Sequence, residues 1–95
     1  MQFEWDENKN RLNQSKHRVS FEEAETVFYD EQALLEYDES HSTEEDRFRI
    51  LGCSSVGNIL LVVHCIRDES IIRIISARKA TATEKLGYER RSIGK

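Results

Sequence analysis

Apolar and acidic positions alternate at the start of the chain, Phe3 and Trp5 against Glu4 and Asp6, which predicts a short opening strand. The polar run from Glu7 to about Lys16 has Leu12 as its single aliphatic residue, and predicts a largely exposed helix capped by Asp6 that buries Leu12 and a few side-chain stems. Ser20 followed by Glu23 forms a capping box. Val19 precedes it, and Ala24, Val27 and Phe28 lie on the inner side of a second helix that ends near Asp30. Leu34, Leu35 and Tyr37 predict a strand, and the acidic stretch from Glu39 to Asp46 a loop. From Arg47 the pattern changes. Arg47 to Ser54, Asn58 to Arg67 and Ser70 to Ala77 are β-branched and apolar, separated by turns at Val56-Gly57 and Asp68-Glu69, as in an antiparallel meander. Thr81 or Thr83 opens a closing helix that carries Leu86 and Tyr88 and ends in the basic stretch Arg90 to Lys95. The order β-α-α-β-β-β-β-α describes an α+β domain whose antiparallel sheet is covered on one face by helices. At 95 residues, the chain has room for a single domain, residues 1–95.

Side chains alternate across a sheet, so the hairpin register decides which of them share a face. With two-residue turns, Arg49 pairs with His64 and His64 with Arg73, placing all three in one row across three strands, with Arg47 one step away. The opposite face then collects Phe48, Ile50, Leu61, Val63, Cys65, Ile72 and Ile74, a floor for the helices. A three-residue turn with a bulge reverses this parity. Three cationic groups in line repel one another, so an anion belongs beside them. That anion is either a carboxylate from the acidic half of the chain or a phosphate, and spacing alone does not choose.

Composition sharpens the second option. The net charge of −4 hides a division: fourteen acids face four Lys/Arg up to Asp46, net −10, whereas four acids face ten Lys/Arg from Arg47 onward, net +6. Such asymmetry points to a polyanion site on part of a surface. The longest apolar run, Ile59 to Val63, is too short for a membrane span, and no basic-plus-apolar leader opens the sequence, so a cytoplasmic protein is expected. Cys53 and Cys65 have no metal-ligand spacing and are expected to be reduced thiols; no metal site or cofactor is expected.

Cleaving RNA without a metal requires activation of the 2′-hydroxyl, stabilisation of the crowded phosphate and a proton for the leaving oxygen. Arginine serves the second need through its planar fork, and His64 suits the first or third because imidazole titrates near neutral pH. The same residues suit a simple phosphate clamp. Lys16-His17-Arg18 forms a compact basic spot between the first two helices, and Arg78-Lys79 lies where the last strand hands over to the closing helix. Tyr88 fits either the core or the site, and Glu84, early on a helix, fits a capping role.

Several stretches resemble the BrnT-type ribonuclease toxins of bacterial type II toxin–antitoxin modules. In the first half these are Phe3-Glu4-Trp5-Asp6 with Lys9, Asn13 and Lys16-His17, then Val19-Ser20-Phe21-Glu22-Glu23-Ala24 and Val27-Phe28. In the second half they are Arg47 with Gly52 and Ser54, Leu61 through His64 to Arg67, and Ile72-Arg73-Ile74-Ile75-Ser76-Ala77-Arg78-Lys79-Ala80-Thr81 with Glu84 and Tyr88. Cys65 departs from the pattern, where a threonine is common, and the tail after Tyr88 is short. The resemblance implies a RelE-like fold that cleaves RNA without a bound metal and stops translation. It also implies a ribbon-helix-helix antitoxin, similar to BrnA, which binds the toxin and represses their operon, so that operator DNA is reached only through the antitoxin. The candidate catalytic residues are then His64, Arg73, Arg49, Arg67 and Arg78, and the candidate substrate-binding residues Arg47, Lys16, His17, Lys79 and Tyr88. The alternative is an inactive module whose cationic face only receives an antitoxin segment.

Overall fold

The computed structural model describes residues 1–93. Its strands are β1 (Gln2–Glu4), β2 (Leu34–Tyr37), β3 (Phe48–Cys53), β4 (Ile59–Arg67) and β5 (Ile71–Lys79), and its helices α1 (Glu7–His17), α2 (Phe21–Thr26) and α3 (Ala82–Ile93). Short 3-10 turns cover Val27–Tyr29 and Glu39–His41. Of the basic tail expected up to Lys95, Gly94 and Lys95 lie outside the described residues.

The helix boundaries follow from their caps. The Asp6 carboxylate accepts from the amides of Asn8 (2.8 Å) and Lys9 (3.4 Å), and Arg18 ends α1 at φ 58°. Leu12, expected to be buried, is exposed instead, and asparagines form the inner side of α1. Asn13 holds both backbone groups of Ala77, donating to its carbonyl (2.8 Å) and accepting from its amide (3.1 Å), and so satisfies β5 past the end of β1. Asn10 accepts from the Phe21 amide (2.9 Å). Ser20 caps α2 through the Glu23 amide (3.0 Å), but the Glu23 carboxylate does not return to Ser20. It accepts from Ser54 Oγ (2.6 Å) and Asn58 Nδ2 (2.8 Å), tying α2 to the β3–β4 turn. At α3 the box is complete: Thr81 Oγ1 accepts from the Glu84 amide (3.2 Å) and the Glu84 carboxylate from the Thr81 amide (2.9 Å).

The sheet order is β1-β5-β4-β3-β2. Because β1 runs parallel to β5 while the other pairs are antiparallel, the sheet is mixed, not antiparallel throughout as expected. The register is also corrected. Ser54 N donates to Asn58 O (2.8 Å) and Gly57 sits at φ 91°, leaving Ser55, Val56 and Gly57 as a three-residue loop. Phe48 therefore faces His64, Arg49 faces Val63 and Cys53 faces Ile59. The second hairpin turns at Asp68 and Glu69, both at positive φ, with Ser70 as a third loop residue, so Arg67 faces Ile71, Cys65 faces Arg73 and His64 faces Ile74. A bulge beside Val63 and His64 then pairs Val63 with Ser76.

One face packs Ile50, Leu60, Val62, Ile74 and Ala77 beneath Val19, Phe21, Ala24 and Val27, all buried. Leu61, Val63 and Cys65, expected on this floor, point the other way. The helices are not confined to one face either, because α3 sets Tyr88 against Leu51 and Leu61 on the opposite side. The Tyr88 hydroxyl donates to Asp30 (2.6 Å), which also accepts from the Cys53 amide (2.8 Å) and the Gln32 amide (2.9 Å). Burial acts to raise the Asp30 pKa, but these three hydrogen bonds hold it below the usual carboxylate value. Both cysteines are free.

Candidate active site

The corrected register brings the strand arginines together. Arg49 on β3, Arg67 on β4, and Arg73 and Arg78 on β5 share the face not covered by α1 and α2. Each has a carboxylate beside it. Arg73 pairs with Glu4 across the β1–β5 register at 2.8 Å, and Arg67 lies 3.7 Å from Glu45 and 4.0 Å from Glu4. Arg49 pairs with Glu36, its neighbour on β2. Arg78 makes a two-pronged contact to Glu84 (2.8 and 3.0 Å). That contact, with the amide and hydroxyl of Thr81, draws the Glu84 carboxyl down to about 2 even though burial opposes it. The anion left open by spacing is thus, in the free protein, a set of carboxylates, three of them from the acidic half of the chain.

Two cavities open near Arg67 and Val63 on this face. One, of about 320 Å³, is lined by His41, Thr43, Glu44, Glu45, Arg47 and Arg67, and the other, of about 250 Å³, by Asp38, His41, Arg47, Val63, Ile75 and Ser76. Arg47 and His41 belong to both. Among the described residues, the Arg47 guanidinium has no carboxylate within ion-pair distance. The acidic stretch expected to be a loop is built around this corner. Asp38 N donates to Arg47 O (2.8 Å), Ser42 Oγ to Asp38 O (2.6 Å), and Arg47 N to Ser42 Oγ (2.9 Å). The 3-10 turn folds His41 back so that its Nδ1 lies 3.1 Å from both oxygens of the buried Asp38 carboxylate. That contact is the first cause holding the Asp38 pKa down, ahead of the opposing effect of burial and the help of Ser40.

A sequence model for the family described as "Ribonuclease toxin, BrnT, of type II toxin-antitoxin system" matches residues 5–84. The chain belongs to the BrnT family of ribonuclease toxins. Family membership implies an antitoxin partner. The crystal structure of the Brucella abortus ribonuclease toxin, BrnT, is similar, with a TM-score of 0.65 and 25% sequence identity over 85% of this chain and 97% of that one. No curated protein sequence matches this BrnT-family chain at a significant level.

The remaining candidates of this BrnT-family domain fall into distinct places. The expected row of Arg49, His64 and Arg73 does not form. His64 lies on the covered face, 3% exposed, between the rings of Phe28 (4.8 Å between centroids, edge-on) and Phe48 (5.9 Å, stacked). Burial lowers its pKa and outweighs the opposing contact to Val62 O (3.4 Å), so it is a neutral core imidazole. Lys16 and His17 line a depression of about 180 Å³ on α1 that shares Ile75 and Ser76 with the Arg47 cavity, so the two meet at the β5 bulge. Lys79 sits at the other end of the sheet, beside the β3–β4 turn and Lys85. Tyr88, on α3, is buried against Leu51 and Leu61 and lies beyond the matched residues.

His41 and Asp38 are not among the candidates that the sequence offers. The signal was an aspartate three residues before the lone histidine of an acidic run. Among the described residues, no group of three or more His, Cys, Asp or Glu side chains is placed to hold a metal ion.

Proposed function

We propose that this BrnT-family chain is an endoribonuclease that grips and cleaves RNA on the arginine-bearing face of its sheet. The observation that carries the reading is the gathering of Arg49, Arg67 and Arg73 on one face, next to the cavities that hold Arg47. Guanidiniums offer phosphate the same two-pronged geometry that they offer carboxylate, and a phosphodiester gains charge on its oxygens as its phosphorus becomes five-coordinate. RNA therefore replaces Glu4, Glu36 and Glu45 as the arginines' partners. These carboxylates are partly exposed, so displacing them costs little. Arg73 and Arg67 clamp the scissile phosphate, Arg49 and Arg47 hold the phosphate next to it, and Lys16 and His17 extend the track past the bulge. Arg78, engaged by Glu84, orders the start of α3 at the border of the site.

The activity is metal-independent, stops translation by removing RNA in the cytoplasm, and sits on a RelE-like arrangement of sheet and helices. The antitoxin is a ribbon-helix-helix protein similar to BrnA that covers the arginine face and alone carries the complex to operator DNA. Expressing the chain without its antitoxin tests the reading: growth arrest with RNA degradation is expected for the wild type and not for an Arg67→Ala/Arg73→Ala double variant. Purified protein that binds its antitoxin and leaves RNA intact would instead establish an inactive binding module.

A further inference from the structure

Arginine stabilises charge but does not give up a proton. The 2′-hydroxyl must lose one, and His64 is sealed on the far side of the sheet. His41 is placed differently: its side chain is 68% exposed and lines both cavities with Arg47. The Asp38 carboxylate beside Nδ1 is 6% exposed and, being ionised, only accepts hydrogen bonds. Nδ1 must therefore carry the hydrogen, which leaves the Nε2 lone pair of the neutral ring free, and Nε2 makes no hydrogen bond among the described residues. His17, the other histidine at the surface, has no side-chain hydrogen bond there and no carboxylate to orient it.

We propose that His41 is the catalytic base of this site and Asp38 its positioning residue, an assignment that rests on the ribonuclease reading above. Nε2 takes the 2′-hydroxyl proton and the 2′-oxygen bonds to phosphorus as the bond from phosphorus to the 5′-oxygen breaks. The imidazolium then returns the proton through water to the leaving 5′-oxygen. The products are a 2′,3′-cyclic phosphate and a 5′-hydroxyl, with no co-reactant consumed. Asp38 holds the ring in the productive tautomer and offsets the charge that the imidazolium gains. The hydrogen bonds among Asp38, Ser42 and Arg47 fix this pair against the arginine that holds the substrate. Glu44, Glu45, Arg47 and Arg67 are the other charged groups lining its cavity.

The test is single-turnover cleavage of a single-stranded RNA oligonucleotide by the purified full chain, with RNA affinity measured alongside. His41→Ala and His41→Gln are both expected to lose about 10² to 10⁴ in rate with affinity unchanged, because glutamine keeps a hydrogen bond but takes no proton. Free imidazole should restore part of the rate to His41→Ala, and Asp38→Asn should slow cleavage with no such rescue. Wild-type rates in either His41 variant, or a loss confined to affinity, would overturn the proposal while leaving the ribonuclease reading in place. Wild-type protein that leaves the oligonucleotide intact would overturn both.

Discussion

His64 and Cys65 are neighbours in β4, and they look in opposite directions. His64 faces Phe28, Phe48 and the helices, where water is excluded and its charged form is disfavoured. Cys65 stands opposite Arg73, with Arg67 two residues further along the strand, on the face where guanidiniums and carboxylates meet partial solvent. The covered face is held by close apolar packing that tolerates little change in shape, whereas the other face is apolar only where Leu51 and Leu61 meet Tyr88 of α3 and elsewhere carries partly exposed ion pairs. Apolar packing against the helices and the strand arginines thus fall on alternate residues of the same strands.

The covered face breaks most readily at Gly52. A Cβ there would lie 2.9 Å from both Ala33 Cβ and Val27 Cγ1, neither at the end of a flexible chain, so Gly52→Ala should cost about 1 to 3 kcal/mol in urea unfolding. Cleavage per folded molecule should hold, since the arginine face is untouched. A smaller loss, about 1 to 2 kcal/mol at neutral pH, is expected for Glu84→Ala, which removes half of the α3 capping box and the partner of Arg78. The Glu84 pKa is drawn below its ordinary 4.5, first by Arg78, so its contribution is complete above pH 4.5 and lost as pH falls from there through about 2. Melting temperatures of wild type and variant should converge over that range. The smallest effect belongs to Glu36→Gln, which frees Arg49. Stability should move by less than about 0.5 kcal/mol, while RNA binds more tightly and with a steeper salt dependence.

The element order, the caps at Asp6 and Ser20, and the core positions Val19, Ala24 and Val27 are legible because each depends on local spacing, and the structure chooses Thr81 over Thr83 as the cap of α3. Faces are not, because each hairpin turns on three residues rather than two, and a one-residue slip exchanges every side chain between faces. The two slips fall on opposite sides of β4, and this moved His64 into the core while Arg49 and Arg73 stayed together. The parallel pairing of β1 with β5 spans nearly the whole chain, beyond the reach of hairpin logic. The asparagine side of α1 and the Asp38–His41 contact were hidden for another reason: both look like solvated polar sequence until their partners are in place.

A paired measurement of RNA cleavage bears most directly on the division between the two faces. Arg73→Ala and His64→Phe are compared with wild type after their melting curves confirm that both are folded. Arg73→Ala should lose about 10² to 10³ in rate, as when a transition-state donor is removed, and His64→Phe should cleave at nearly the wild-type rate. Loss of cleavage in His64→Phe together with full activity in Arg73→Ala would contradict the account.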